Sequence, residues 1–196
     1  MSFIETVSPA DAADSVAELY EKDSAQFGHI PNFTKAFSLR PDVYAIWRQL
    51  NGAIRNNMDL RRYELATVAA ARRIKSTYCV TAHSSILIDK FMDQDAVVAL
   101  VNDHHAAGLD EHDMAVMDLA DKVAGDASSV TEADLDRLRA VGLSDREIFD
   151  VVLAAAARCF FSKALDATGT QADSKYLDLD AGLRDAFTVG RPIADE

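Results

Sequence analysis

The sequence predicts an all-α fold, and three observations support this prediction. Apolar residues recur at helical spacing along most of the 196 residues, and helix-capping patterns begin several of these segments. There are only 8 glycines and 4 prolines, about half their average share, which leaves few tight turns for a chain of short strands. No Asn-Gly or Asp-Gly pair lies between alternating apolar runs, as a β-hairpin would require. We therefore expect a single helical domain over residues 1–196.

The first predicted helix begins at Ser8-Pro9-Ala10-Asp11 and ends at Gly28. Serine is a good N-cap, proline suits the first turn, and an acidic residue is favourable near the positive end of the helix dipole. The segment Ile30-Pro31-Asn32 predicts a break, because the residue before a proline avoids the helical region.

Three further helices are predicted in the first half of the chain. One runs from Pro41 to Asn56-Asn57, the next from Leu60 to Ile74, and the third from Ser76 to Phe91. We expect the first of these three to bury a single apolar face, made of Val43, Ile46, Trp47, Leu50 and Ile54.

The second half of the chain predicts five more helices. They span Asp95–Ala107, Asp110–Ala124, Thr131–Ala140, Ser144–Ala167 and Ala181–Thr188. The sequence Ser144-Asp145-Arg146-Glu147 is a capping box, in which the serine and glutamate side chains bind backbone amides reciprocally.

An internal repeat is predicted between residues 58–91 and 141–169, at an offset of 83. The offset aligns Leu60-Arg61-Arg62-Tyr63-Glu64-Leu65 with Leu143-Ser144-Asp145-Arg146-Glu147-Ile148 and places Cys79 on Ser162. These matches predict two related helical units, one carrying chemistry and one serving as structure.

Composition excludes several classes of function. A net charge of −12 argues against nucleic acid and against an anionic membrane surface as partners, because both are bound by clustered Lys and Arg. Two cysteines cannot form the disulfide framework of a small secreted protein. The N-terminus shows no signal peptide, and the longest apolar run, Val151–Ala157, is far too short to span a membrane. We therefore expect a cytoplasmic protein with free thiols.

The segment from Ser76 to His83 is the strongest candidate for chemistry. Cys79 and His83 are four residues apart and therefore share one helix face. If Ser76 is the N-cap, Cys79 lies in the first turn, where the helix dipole favours a thiolate. Glu64, on the preceding helix, could supply a base if the two helices pack together.

A purely structural role for these residues is the alternative. Free cysteine is among the most buried residue types and often only fills space. Ser76 would then be a simple cap, and His83 a hydrogen-bonded interior histidine.

Glu64 followed by Ser76-x-x-Cys79-x-x-x-His83 resembles the signature of the carboxymuconolactone decarboxylase and alkylhydroperoxidase D-like superfamily. In its peroxidase members the signature reads Glu, then Cys-x-x-Cys, then His. Tyr78 before Cys79, and the upstream Gly28-His29-Ile30-Pro31-Asn32-Phe33, resemble the peroxidase-related subgroup. The resemblance extends over nearly the whole chain and implies an all-helical fold of two related units and a homo-oligomer.

The resemblance implies a role for each matched residue. Cys79 corresponds to the cysteine that attacks the peroxide, His83 to the motif histidine, and Glu64 to the acid that helps remove the thiol proton. Ser76 stands where the family has its first cysteine, so a disulfide within the motif cannot form. A small-molecule peroxide would then be the substrate, an external thiol the reductant, and no cofactor would be needed. Tyr78 is a candidate to support the site by packing or by lining its pocket.

Two other functions stay open on the sequence. One is a lyase acting on a lactone acid, with Glu64 and His83 in acid–base roles and Cys79 incidental. The other is a non-catalytic helical oligomer whose site has decayed. The serine at position 76 favours this alternative.

Two minor candidates receive structural interpretations. Cys159 lies among apolar neighbours and is expected to be a buried, inert thiol. A histidine and acid cluster surrounds positions 103–113, but its spacing lacks the i, i+4 pair of a helical zinc site, so no metal is expected there. Its members are Asp103, His104, His105, Asp110, Glu111, His112 and Asp113.

Overall fold

The computed structural model describes residues 2–195, and within them it contains helices and no β-strand. This confirms the all-α prediction. The α-helices are α1 (Asp14–Phe27), α2 (Asn32–Phe37), α3 (Pro41–Arg55), α4 (Leu60–Arg73), α5 (Thr77–Lys90), α6 (Gln94–Asn102), α7 (Glu111–Asp126), α8 (Glu132–Ala140), α9 (Asp145–Ala167) and α10 (Ala181–Phe187). Short 3₁₀ turns occupy Ala127–Ser129 and Ser174–Asp178.

Capping explains why the C-terminal helices begin where the sequence predicted. The Ser144 amide donates to Glu147 Oε2 at 2.9 Å, and the Glu147 amide donates back to Ser144 Oγ at 3.3 Å. This reciprocal pair is the predicted capping box of α9. At the start of α8 the Thr131 amide donates to Asp134 Oδ2 at 2.7 Å.

The predicted start of the first helix was wrong. Ser8 Oγ donates to Asp11 Oδ2 at 2.6 Å, and the Asp11 amide donates to the Ser8 carbonyl at 3.1 Å. These bonds close an isolated turn, and the helix itself begins only at Asp14. Serine and acid at this spacing stabilise a turn as readily as a helix start, which is why the local pattern misled.

Two other boundaries also differ from the prediction. The break at Pro31 is real, but a six-residue helix, α2, follows it directly and is too short to show a periodic pattern. Helix α6 ends at Asn102 rather than Ala107, because Asp103 is extended and its carboxylate accepts the His105 amide at 3.0 Å.

Helix α3 does not bury the whole of its predicted apolar face. Trp47 and Ile54 are buried, but Ile46 is 66% exposed and Leu50 is 52% exposed. Phe160 on α9, whose ring lies 5.5 Å from that of Trp47, is also 49% exposed. The predicted homo-oligomer stays a prediction.

Helix α4 lies at the centre of the molecule, packed against α5, α7 and α9. Every residue from Tyr63 to Ala71 is buried, and alanines at four of these positions let the neighbouring backbones approach closely. Glu64 is buried within this stretch, at 1% exposure. The start of α5 and the middle of α9 meet beside α4, where Arg158 contacts both Cys79 and Tyr63.

The turn between α4 and α5 is fixed by contacts from the C-terminus. Lys75 is in the left-handed region, with φ of 58°. The Gly190 amide donates to Thr77 Oγ1 at 2.9 Å, and a Cβ at position 190 would lie 2.0 Å from the Lys75 carbonyl oxygen. This close approach holds the first turn of α5 in place and admits only glycine.

None of the helices described in residues 2–195 is long and apolar enough to cross a membrane. The predicted single domain and internal repeat stay predictions. The aligned segments differ in form, because α4 and α5 are separated by a turn whereas α9 is one continuous helix.

Candidate active site

Cys79 lies in the first turn of α5, with Ser76 at the N-cap position as the sequence predicted. The thiol is 3% exposed. Amide groups at a helix N-terminus carry partial positive charge, so this position favours a negatively charged sulfur.

Two side chains from α9 reach the Cys79 sulfur. Ser162 Oγ donates to Sγ at 3.0 Å, and Arg158 Nη1 donates to it at 3.6 Å. Arg158 and Ser162 are four residues apart, so successive turns of one helix present both donors. The sulfur therefore receives a neutral and a charge-assisted hydrogen bond in addition to the helix dipole.

Arg158 is the most unusual residue of this site. It is 4% exposed, and within residues 2–195 no carboxylate lies within ion-pair distance of it. Its other group, Nη2, donates to the Tyr63 hydroxyl at 3.3 Å, and its guanidinium lies 5.6 Å from the Phe161 ring centre. Burial by itself would lower the pKa of Arg158, but the contacts with Cys79 and Tyr63 outweigh it and raise this pKa.

A buried cation without a carboxylate is costly unless another negative group balances it. The Cys79 sulfur is the group in contact with Arg158 that can become an anion. The arrangement therefore places a buried positive charge and two hydrogen-bond donors at the Cys79 sulfur.

His83 lies one turn after Cys79 and is held by Glu64. Nδ1 of His83 and Oε2 of Glu64 are 2.5 Å apart. Burial, and secondarily the charge of Arg158, lower the pKa of His83 below its ordinary value of 6.5, although Glu64 opposes this shift. The imidazole is therefore neutral at pH 7, and its Nδ1–H donates to the carboxylate. This bond leaves Nε2 as the proton-accepting nitrogen.

Cys79 and His83 line one cavity of about 580 Å³, a size typical of small-molecule sites. Aromatic side chains form much of its wall: Phe27, Phe33, Tyr44, Trp47, Tyr78, Phe161 and Tyr176. Glu64 does not line the cavity, and its carboxylate contacts His83, which does.

Tyr78 both packs in the core and lines the cavity. Its hydroxyl donates to Asp173 Oδ2 at 2.5 Å, and Asp173 Oδ1 accepts the Asn32 amide at 2.7 Å. Burial, together with the charge of Asp173, raises the pKa of Tyr78 well above its ordinary value, so the phenol stays neutral. Tyr78 thereby ties the C-terminal segment and the start of α2 to the cavity wall.

Ser76 lies apart from the cavity. It is fully buried, makes no side-chain capping bond, and does not line the space shared by Cys79 and His83. Its hydroxyl is next to Asp166, whose pKa is raised by burial and lowered in part by this serine. Cys159 is half-buried rather than buried, and burial raises its pKa. It follows Arg158 by one residue and so lies about 100° around α9 from it.

The sequence reasoning missed Arg158, Ser162 and Tyr63. A sequence signal existed for Arg158, because it interrupts an apolar stretch of α9 and arginine is rarely buried without a partner. Ser162 is the position that the 83-residue offset aligns with Cys79, and the two side chains are in contact.

The histidine cluster between α6 and α7 gains a carboxylate that the sequence reasoning did not include. Nε2 of His104 and Nε2 of His105 lie 2.9 Å and 3.0 Å from Asp118 Oδ1. The three donor atoms are within 4.8 Å of one another, close enough to share a metal ion. Arg137 also pairs with Asp118 at 3.1 Å and already balances its charge. The expectation of no metal stays a prediction.

Comparison with known proteins places this arrangement in a recognised fold. No protein-family model matches the sequence, and no curated protein matches it either. Among solved structures, the alkylhydroperoxidase AhpD core of an uncharacterized peroxidase-related protein from Ralstonia eutropha JMP134 superposes with a TM-score of 0.80. The two sequences are 21% identical over 89% of this chain and 94% of that chain. The chain has the alkylhydroperoxidase D-like fold.

Two further structures show the range of proteins built on the alkylhydroperoxidase D-like fold. An uncharacterized peroxidase-related protein from Silicibacter sp. TM1040 has a TM-score of 0.77 and 21% identity over 88% of this chain and 94% of that chain. A cysteine-to-alanine variant of the debrominase Bmp8, in a complex with 2,3,4-tribromopyrrole, has a TM-score of 0.70 and 15% identity over 92% of this chain and 93% of that chain. The fold predicted from the signature is thus confirmed, and the same fold supports more than one reaction.

Proposed function

We propose that this protein is a thiol-dependent peroxidase that reduces small organic hydroperoxides through Cys79. The observation that carries the proposal is the buried Arg158, whose guanidinium contacts the Cys79 sulfur and has no carboxylate partner within residues 2–195. Peroxidase-related proteins of the same fold support this reaction class.

The first step prepares the nucleophile. His83 Nε2 accepts the thiol proton of Cys79, and the resulting imidazolium is stabilised by its hydrogen bond to Glu64. Arg158, Ser162 and the N-terminus of α5 stabilise the thiolate. Glu64 is thus a positioning residue that acts through His83.

The second step reduces the peroxide. The thiolate attacks the terminal oxygen of the hydroperoxide, so that an S–O bond forms as the O–O bond breaks. The sulfur is oxidised by two electrons to a sulfenic acid, and the alkoxide leaving group takes its proton from His83. The products are Cys79 sulfenic acid and an alcohol.

Regeneration requires thiols from outside the chain. A serine at position 76 cannot form a disulfide, and Cys159 lies on another face of α9. One external thiol condenses with the sulfenic acid to give a mixed disulfide and water, and a second thiol displaces Cys79 as a thiolate. We infer a cytoplasmic location, where such thiols are kept reduced.

The test is a stoichiometric pulse of cumene hydroperoxide, followed by dimedone labelling and peptide mass spectrometry. We expect the label on Cys79 in the wild type and in Cys159→Ser, and none in Cys79→Ser. Absence of label from Cys79 in the folded wild-type protein, or label on Cys159 alone, would contradict the proposal.

A lyase acting on a lactone acid would also use His83 and Glu64. That reaction does not explain why Arg158 and Ser162 contact the Cys79 sulfur. Turnover of such an acid by Cys79→Ser would favour the lyase over the peroxidase.

A further inference from the structure

The lining of the cavity is rich in cationic side chains, although the protein as a whole is strongly negative. The chain carries a net charge of −12, yet four cationic side chains line this one cavity: Arg48, Arg55, Arg158 and Lys175. Asp173 is the only carboxylate among the lining residues. Cationic side chains therefore outnumber carboxylates among the residues that line the cavity.

Two of these cations already have partners within the fold. Arg48 pairs with Asp23, which is fully buried. Arg158 contacts the Cys79 sulfur, where the reaction needs it. The single carboxylate, Asp173, is bound by the Tyr78 hydroxyl and the Asn32 amide.

Arg55 and Lys175 are the cations that remain for a ligand. Both are exposed at the rim of the cavity, and within residues 2–195 neither has a carboxylate within ion-pair distance. The Lys175 ammonium lies 5.1 Å from the ring centre of Tyr176, which also lines the cavity.

Much of the cavity wall is aromatic. The Phe161 ring stacks on that of Trp47 at 5.2 Å and meets that of Phe33 edge-on at 5.6 Å. Such a wall favours a planar apolar body by stacking and by burial of apolar surface.

We infer that the substrate is an anionic hydroperoxide, in which a planar apolar body carries a carboxylate as well as the peroxide group. Arg55 and Lys175 bind the carboxylate at the rim, the aromatic wall holds the body, and the peroxide faces Cys79. This inference rests on the proposed peroxidase function and adds the chemical class of its substrate.

The experiment measures binding of two matched probes that contain no peroxide. The probes are 2-naphthoate and 2-naphthamide, which share a planar body and differ in charge. Trp47 is the only tryptophan of the chain and lines the cavity, so its fluorescence reports binding. Binding is compared among the wild type, the double variant Arg55→Gln/Lys175→Gln, and the control Arg146→Gln/Lys163→Gln, whose positions are exposed and outside the cavity.

We expect the wild type and the control to bind the carboxylate about tenfold more tightly than the amide, since each rim cation contributes about two- to fivefold. Salt should weaken this preference, because the rim is exposed to solvent. In the double variant the two probes should bind within about twofold of each other. Equal affinity for both probes in the wild type, or an equal loss of preference in the control, would overturn the inference.

The outcomes separate this inference from the proposed function. Preference for naphthoate without sulfenic acid at Cys79 after the peroxide pulse overturns the peroxidase alone. Labelling of Cys79 by cumene hydroperoxide without any preference for naphthoate overturns the anionic substrate alone.

Discussion

Replacing Arg158 by Met tests the central claim about the site, that a buried guanidinium stabilises the Cys79 thiolate. Methionine keeps an unbranched apolar side chain in place while it removes the charge and the hydrogen bond of 3.6 Å to the sulfur. Two charges at that distance interact by about 5 kcal/mol at an effective dielectric constant of about 20, which is an upper bound. Hydrogen bonds to charged groups in proteins contribute about 1.5–3 kcal/mol, and we take about 2–3 kcal/mol for this contact.

A loss of this size weakens the stabilisation of the thiolate relative to the thiol by about 30- to 150-fold. The remaining thiolate is more basic and therefore more nucleophilic, which offsets part of the loss through a Brønsted coefficient of about 0.4–0.5. The net expectation is an alkylation rate about tenfold lower. The assay is the second-order rate of iodoacetamide reaction at Cys79, followed by peptide mass spectrometry so that Cys159 is counted separately.

Arg146→Met is the matched control, because Arg146 is an exposed arginine on the same helix. Its alkylation rate should equal that of the wild type. An alkylation rate in folded Arg158→Met within twofold of the wild-type rate would refute the assignment of Arg158 to the thiolate.

Three further predictions concern the other groups of the site. Ser162→Ala removes the hydrogen bond of 3.0 Å to the Cys79 sulfur, which contributes about 1 kcal/mol. Sulfenic acid formation should therefore slow about fivefold, and an unchanged rate would exclude a role for this hydroxyl. In an NMR titration, the His83 ring should protonate below pH 6.5, because burial and Arg158 lower its pKa. Glu64→Gln should move the midpoint lower still, since Glu64 raises that pKa. A midpoint that rises in Glu64→Gln would contradict the pairing of Glu64 with His83. Ser76→Cys creates a Cys-x-x-Cys motif at a helix start, so a peroxide pulse should form a disulfide with Cys79 and remove two free thiols. Persistence of the sulfenic acid in this variant would show that the spacing is not sufficient for disulfide formation.

The parts of the fold that could be predicted from sequence are those that neighbouring residues determine. The capping box of α9 requires only Ser144 and Glu147, three residues apart, and it forms as predicted. The same local logic failed at Ser8, because Ser8 and Asp11 satisfy each other in a turn without any helix to follow. A serine and an acid at this spacing specify a set of hydrogen bonds, and tertiary context decides which element contains it.

The candidate site also has a part that local spacing predicts and a part that it does not. Cys79 and His83 could be placed on one face because they are four residues apart on a helix. The residues that tune the sulfur come from α9, 79 and 83 positions further along the chain, and no local pattern brings them there. The repeat offset was the one long-range signal available, and it aligned Ser162 with the cysteine that it contacts.

The position of Ser76 bears on whether the candidate site has decayed, because this serine stands where the Cys-x-x-Cys signature has its first cysteine. Had Ser76 lined the cavity, its hydroxyl would have altered the surroundings of the Cys79 sulfur, and a decayed site would have been the natural conclusion. Ser76 instead lies outside the cavity beside Asp166, while the sulfur keeps its contacts with Arg158 and Ser162. The serine therefore excludes a disulfide within the motif, and the contacts of the Cys79 sulfur do not involve it. In the proposed mechanism, a thiol from outside the chain performs the reducing step, and it must reach Cys79 through the same aromatic cavity as the substrate.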